Sequence, residues 1–570
     1  MLRAIGKAFL NSFRERCHVA ILLHFIYKKQ RFVEARNMSG KTSKAFLFTL
    51  LIALGTEAVA FGPGRAISSE PSEIRIADSK GDWGYPNPYL HYPRRPGYVR
   101  MSWVFDTLVW KDEKGDIPGL ATTWTYDPQK RAFVFRLNPN TKWHDGAPFS
   151  AEDVAFSVGY FKKFPYSWVS LDRVDRAEIK DKLTVVIFLN RPYAPFISEI
   201  AGTMPILPKH MWQTVQDPIA FLDSKAFIGT GPYKFKDFNK IKGTYLFEAF
   251  DNYYAGWPKM KQLIYVKSGH PLVALSTGMA DLAAIQPEMI QVLQEKGFTV
   301  VKDACGWVKK LMINHYRFPL SEQRFRQALA HAIAPQELID KGHRGFGQVA
   351  SQGLLSKDHE WYNPQTPVYR YDPLKARELI ESLGFRKDSE GYYGSNGKPL
   401  KLEILCSTIG TGGEATQDRD GEILKRQIEA VGIRVDLVQL DSAVTDQRIL
   451  KWNFDLAISG HGGILGDPKI LSEMISPHYG ADSVNCARYE KDETLNSLLE
   501  KQMEEMNPEG RKKLVYQIQD LHAKDLPAIC LYYPDSYCAY NPKKDVRWFF
   551  TKGGIAKGIP IAQNKMSLIR

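Results

Sequence analysis

In residues 81–110 (GDWGYPNPYLHYPRRPGYVRMSWVFDTLVW), Trp83, Tyr85, Tyr89, Tyr92 and Tyr98 stand among prolines, with Arg94, Arg95 and Arg100 between them. Prolines stiffen a loop, and aromatic faces supply contact area at small entropic cost. Arginine offers a planar fork to a carboxylate or phosphate, or stacks on an aromatic ring. This is chemistry for recognition, although a surface loop packed on its own aromatics would have the same composition. A second candidate lies in 454–468 (FDLAISGHGGILGDP), where His461 and Asp467 are polar groups in a glycine-rich stretch, either ligand contacts or turn residues. His461 has no identifiable partner for a metal. His144 and Asp145 have the types of an acid–base pair, but in a His-Asp-Gly turn they satisfy local hydrogen bonds. Gly410-Thr-Gly412-Gly-Glu imitates a dinucleotide fingerprint, with Asp436 about 20 residues on. The segment 408–420 is too long and acidic for a tight phosphate cradle, so no cofactor is expected. No G-x-S-x-G, HExxH or Walker sequence occurs, and nothing gathers a Ser, a His and an Asp.

These groups must be carried by a large framework. At 570 residues the chain is long enough for more than one compact unit. The formal charge of +13 is uneven, because residues 1–60 hold ten Lys/Arg against three Glu. The remainder has no basic run that would track phosphates, and nucleic acid is excluded as a partner. Within residues 1–60, Lys41 and Lys44 precede an apolar stretch (AFLFTLLIALG, 45–55) and an Ala58-Val59-Ala60 cleavage pattern. That stretch is too short to cross a membrane, which takes about 20 residues. The segment reads as a signal peptide with working start Met38 and cleavage after Ala60, residues 1–37 being an over-called start. Five cysteines follow (Cys305, Cys406, Cys486, Cys530, Cys538). Isolated buried thiols are expected; a bridge from Cys305 to Cys530 or Cys538 is the alternative.

Residues 133–157 (FVFRLNPNTKWHDGAPFSAEDVAFS) show the order strand, two turns, capped helix. Phe133, Phe135 and Leu137 alternate with Val134, Arg136 and Asn138, and Ser150 stands three residues before Asp153 as a cap. Taken with 228–235 (IGTGPYKF), 252–265 (NYYAGWPKMKQLIY), the helical 324–339 (RFRQALAHAIAPQELI) and 371–379, where Asp372 caps and Pro373 opens a helix, this run resembles the family 5 extracellular solute-binding proteins, receptors of peptide, nickel and related ABC importers. Elsewhere a strand at 74–77 leads to a helical stretch through Val104 and Leu108. A β-α-β unit over 400–440 favours a parallel pair, and 527–533 (PAICLYY) is a further strand.

The resemblance implies an α/β, two-lobed periplasmic binding protein of the large (cluster C) type, with two crossover segments forming a hinge. Its lobes would be 61–308 with 530–570, including a subdomain at about 110–210, and 309–529. It implies no catalysis, a small-molecule or peptide-like ligand between the lobes, an inner-membrane ABC permease as partner, a periplasmic location and a monomer. One cleft wall would carry Trp83, Tyr85, Tyr92, Arg94 and Arg95; the other would carry His461 and Asp467. Peptide receptors of the family place an acidic residue for the peptide ammonium at the position of Ile464, so this chain departs from the ordinary free-peptide mode. A sensor component, a metal-chelate receptor and a periplasmic hydrolase remain as alternatives.

Overall fold

Alternation of buried and outward side chains builds the strands that carry the fold. In Glu73–Asp78, Ile74 and Ile76 face the core. This strand lies parallel to Gln262–Lys267 and Leu282–Ile285 at the middle of a seven-stranded sheet. That sheet runs in the order Thr299–Lys302, Tyr537–Tyr540, Leu282–Ile285, Glu73–Asp78, Gln262–Lys267, Thr244–Ala249, Tyr233–Asn239. A second sheet of six strands runs Gly347–Val349, Ala528–Pro534, Trp307–Ile313, Leu456–Gly462, Lys401–Ser407, Arg434–Leu440. Each sheet has its own apolar core: Trp103, Phe247, Leu263 and Tyr265 belong to the first, Leu311, Ile404, Leu456 and Ile529 to the second. We call these two bodies lobe I and lobe II. This computed structural model describes residues 73–303, 305–407, 419–480 and 482–569. The signal-peptide reading and the Gly410–Glu414 stretch lie outside them.

The chain passes from the first sheet to the second between Lys302 and Trp307, and returns between Pro534 and Tyr537. The return comes a few residues after position 530, because Ala528–Pro534 pairs with Trp307–Ile313 and belongs to the second sheet. Two such crossings make the hinge topology of a two-lobed binding protein. A four-stranded sheet, Ala121–Asp127, Ala132–Leu137, Thr184–Leu189, Val174–Asp181, adjoins lobe I. Its helix Ala151–Lys163 begins with the expected capping box: Ser150 Oγ accepts from the Glu152 N–H at 3.3 Å, and Asp153 accepts from the Ser150 N–H at 3.0 Å. Asp372 likewise caps Pro373–Glu381 through the Lys375 N–H at 3.0 Å. Lys401–Ser407 and Arg434–Leu440 are the expected parallel pair around the helix Arg419–Ala430.

Two sequence expectations need correction. The helix after the first strand ends at Ser102 and does not reach Val104 or Leu108. There the backbone leaves the helical path so that the Trp103 and Val104 carbonyls accept from the Tyr233 and Gly231 N–H groups, at 3.1 and 2.8 Å. Residues 324–339 do not form one helix either. Gln323–Ala332 ends as Ile333 and Ala334 turn extended ahead of Pro335, which disfavours helical geometry in its predecessor. All five cysteines are buried and free, so the bridge from Cys305 to Cys530 or Cys538 does not form. Among the described residues, no helix is long and apolar enough to cross a membrane.

Candidate functional site

The loop between Gly81 and Arg94 is pinned from both ends. Gly84, at φ +76°, pairs with His91 in a bridge, and the Tyr92 N–H donates to the Trp83 carbonyl at 2.9 Å. The Trp83 indole N–H donates to both Asp78 oxygens, at 3.0 and 2.9 Å, and the buried Arg100 binds the same carboxylate at 3.0 Å. Burial works to raise the Asp78 pKa, but Arg100 and these hydrogen bonds hold it below the usual range. So Trp83 is fixed in orientation, and the Lys80 ammonium sits over it and over the exposed Tyr92, at 4.4 and 4.6 Å from the ring centroids. Tyr85 leaves this group and packs against Phe227, Phe235 and Phe238 within lobe I. Arg94 is exposed. It lies near Asp446 of Ser442–Leu450, opposing the rise in pKa that burial imposes on that carboxyl.

Arg95 crosses to lobe II. Its guanidinium stacks on Trp307, the first residue of the crossover strand, 4.5 Å from the ring centroid. The stacking depends on two glycines facing one side of Leu456–Gly462. A Cβ on Gly460 would meet the Trp307 Nε1 at 2.5 Å; one on Gly462 would meet the Arg95 Nη2 and the Trp307 Cε3, both at 2.6 Å. Glycine in a strand here makes room for a flat ring and a flat cation. His461, between them, bonds through Nδ1 to the Gly462 carbonyl at 2.5 Å. Burial drives its pKa down to about 4, and Lys310 and Arg95 add to this, so the imidazole is neutral at pH 7. Arg95 and His461, placed on opposite walls by the sequence, are therefore neighbours.

Beside this seam, Glu199 of lobe I receives Lys469 at 3.3 Å and Lys557 at 3.8 Å, and Lys469 also pairs with Glu473. Burial penalises the Lys469 charge, yet Glu199 and Glu473 together raise its pKa well above the ordinary value. Backbone meets backbone nearby: a Cβ on Gly558 would lie 2.6 Å from the Gly463 carbonyl oxygen. On the outer side, Arg173 binds Glu500 at 2.7 Å and Glu504 at 2.9 Å, tying the four-stranded sheet to the helix Glu493–Glu504.

Asp467 serves lobe II from within. Both its oxygens are engaged by the Arg511 fork (2.9 Å to Oδ2), and Oδ1 also accepts from the Lys469 N–H at 2.8 Å. Ile464 is fully buried in the core with Leu471, Met474 and Val515. His144 and Asp145 hold structure, but only in part locally: Asp145 accepts from the Ala147 N–H at 3.0 Å and meets His210 Nε2 at 2.8 Å, while His144 Nε2 bonds the distant Gly231 carbonyl at 2.9 Å.

Trp307 and the Glu199–Lys469–Glu473–Lys557 group were not foreseen in the sequence. The Gly460-His461-Gly462 spacing was a usable signal for the first, since it clears one face of a strand. The second had none, for its members come from three distant segments, with only Lys469 and Glu473 close in the chain. Among the described residues, no group of three or more His, Cys, Asp or Glu is placed to hold a metal.

The profile described as Bacterial extracellular solute-binding proteins, family 5 Middle, matches residues 117–482. The nickel-binding periplasmic protein of Escherichia coli (strain K12) is 26% identical over 456 residues, covering 77% of this chain and 83% of that protein. The dipeptide-binding protein of the same organism is 24% identical over 380 residues, 62% of this chain and 68% of that one. The crystal structure of NikA from Brucella suis in complex with Fe(III)-EDTA superposes with a TM-score of 0.73 at 20% identity, covering 86% of this chain and 99% of that one. It supports the two-lobed fold. Members of this family bind solutes and are not enzymes. With a profile spanning more than half its length and two crossings between two sheets, the chain belongs to the family 5 bacterial extracellular solute-binding proteins.

Proposed function

We propose that this chain is the periplasmic receptor of an ABC importer, capturing a small peptide-like or otherwise amphipathic solute between its lobes and delivering it to an inner-membrane permease. It acts as a monomer after cleavage of its signal segment behind Ala60. The observation that carries the reading is the contact of Arg95 on lobe I with Trp307 on lobe II, bounded by Gly460 and Gly462. An aromatic, cationic seam where two hinged bodies meet is a place for a ligand that stabilises closure. In this assignment Trp83, Tyr92, Arg94, Arg95 and His461 face the solute. Tyr85 and Asp467 support them from behind, through the phenylalanine cluster and through Arg511. In the same proposal the lobes divide between Lys302 and Trp307 and between Pro534 and Tyr537, a few residues from the expected boundaries at 308 and 530.

Ligand at saturation is expected to compact the protein in solution X-ray scattering; an unchanged profile sinks the hinge-closure reading. Trp83→Ala and Arg94→Ala are each expected to weaken binding about tenfold while the protein stays folded by circular dichroism. Unchanged affinity in both variants would remove the 81–94 loop from the site. A metal-chelate receptor is the second reading. It is favoured by Ile464, an apolar core residue where a peptide receptor would present a carboxylate. A peptide ammonium buried there without a counter-charge would be costly. Elemental analysis of the protein as purified separates the two: a stoichiometric transition metal supports the chelate reading.

A further inference from the structure

We infer that Arg95 is an anion subsite of this receptor and that its solute carries a carboxylate, held edge-on by the Arg95 guanidinium where the lobes meet. The inference rests on the receptor reading and deepens it by naming the ligand's chemical class.

Arg95 is a half-buried cation that stacks on Trp307 and packs against Gly462. Among the described residues no carboxylate pairs with it and no carbonyl accepts from it, and Asp303 acts on it only through its field. Burial accordingly pulls its pKa down to about 10, with Asp303 working against the fall. The buried Arg100 and Arg511, by contrast, each have acceptors: Arg100 has Asp78, and Arg511 has Asp467 and Gln502. A guanidinium stacked on an indole uses its face and keeps its N–H groups in plane and available. Those in-plane donors match the two oxygens of a carboxylate.

The surroundings select among anions. The Trp307 indole N–H is a second buried donor without a partner. It lies over Gly460, where a Cβ would come within 2.5 Å. His461 is neutral and adds no charge. Where it stacks on Trp307, the Arg95 fork therefore stands beside uncharged donors, an arrangement whose flat, two-pronged geometry suits a planar carboxylate. Trp307 acts as a positioning residue, and so do Gly460 and Gly462: any side chain at 462 would displace the guanidinium.

The test uses the full processed protein and a panel of L-glutamate, succinate, benzoate and dialanine, their amides of the same skeleton, inorganic phosphate and a diamine, read by native mass spectrometry and calorimetry. At least one acid is expected to bind and its amide to bind at least tenfold more weakly. Arg95→Gln is expected to reduce acid binding about 10- to 100-fold, and Arg95→Lys, which keeps the charge and loses the fork, to fall between. Gly462→Ala, with Arg95 intact, is expected to reproduce much of that loss. Amides or the diamine binding as well as the acids, phosphate preferred over every acid, no acid binding at all, or acid affinity unchanged in Arg95→Gln would each overturn the inference. Scattering on the same samples separates the two levels. If a neutral or cationic member compacts the protein, the receptor reading stands and the carboxylate falls; if no bound member compacts it, both fall.

Discussion

Asp467→Ala is expected to lower the stability of lobe II by about 3–5 kcal/mol, the usual result of removing one member of a buried ion pair. The Arg511 side chain is only 6% exposed and that of Asp467 11%. Without the carboxylate, the guanidinium keeps the Gln502 backbone carbonyl at 2.7 Å and its side-chain oxygen at 3.0 Å, but its charge is uncompensated. A loss of this size is a large part of a domain's total stability. It should appear as a lower urea midpoint at unchanged slope. The pH dependence has a definite sign. Burial tends to raise the Asp467 pKa, Arg511 overrides it, and the net folded value lies below the usual one. The contribution is thus complete above the unfolded carboxylate pKa of about 3.9 and is lost as pH falls through the folded value. The gap between wild type and variant should be constant from pH 6 to 8 and narrow only in acid. A variant as stable as wild type at pH 7, with ligand affinity lost, would instead make Asp467 a direct ligand contact.

That contrast between support and contact marks where the sequence was informative. Residues 133–157 were legible because each device there closes within a few positions: alternation in Ala132–Leu137, the turn after His144, and the reciprocal bonds of Ser150 and Asp153. The Asp372 cap was legible for the same reason, and the parallel pair around Arg419–Ala430 through its strand–helix–strand order. The helix broken at Pro335 was misjudged because apolar periodicity continues across it while the backbone does not. The site was half legible. Residue types and composition led to Arg95 and His461, but the partner of Arg95, Trp307, is a tertiary fact. Asp467 looked like a cleft carboxylate because Arg511, which engages it, is far along the chain. Charged groups whose partners come from distant elements look free in a sequence, and only packing reveals which ones are.

Gly558→Ala is expected to prevent lobe closure and to weaken binding of the tightest acid in the panel roughly 100-fold, with each lobe remaining folded. The loop around Gly558 meets the loop after Leu456–Gly462 backbone to backbone. A Cβ on Gly558 would lie 2.6 Å from the Gly463 oxygen and 3.0 Å from the Cα atoms of Gly463 and Gly466; one on Gly463 would lie 2.8 Å from the Lys557 oxygen. Real Cβ atoms do not approach backbone so closely, so the loops must part. Parting them also pulls Lys557 from Glu473 of lobe II, which it holds at 4.0 Å. Gly558 has φ +74°, so alanine also strains the loop itself, by about 1–2 kcal/mol. Gly553→Ala isolates that cost: it sits in the same loop at φ +73°, yet its Cβ would come no nearer to lobe II than 3.3 Å, at the Leu465 oxygen. Both variants should lose similar stability in lobe I. Scattering should show ligand-induced compaction for Gly553→Ala and none for Gly558→Ala, because a ligand shifts a two-state equilibrium only by its differential affinity, and here one state is sterically barred. Compaction of both variants to the wild-type profile would mean that the glycine contact is not part of the closed state.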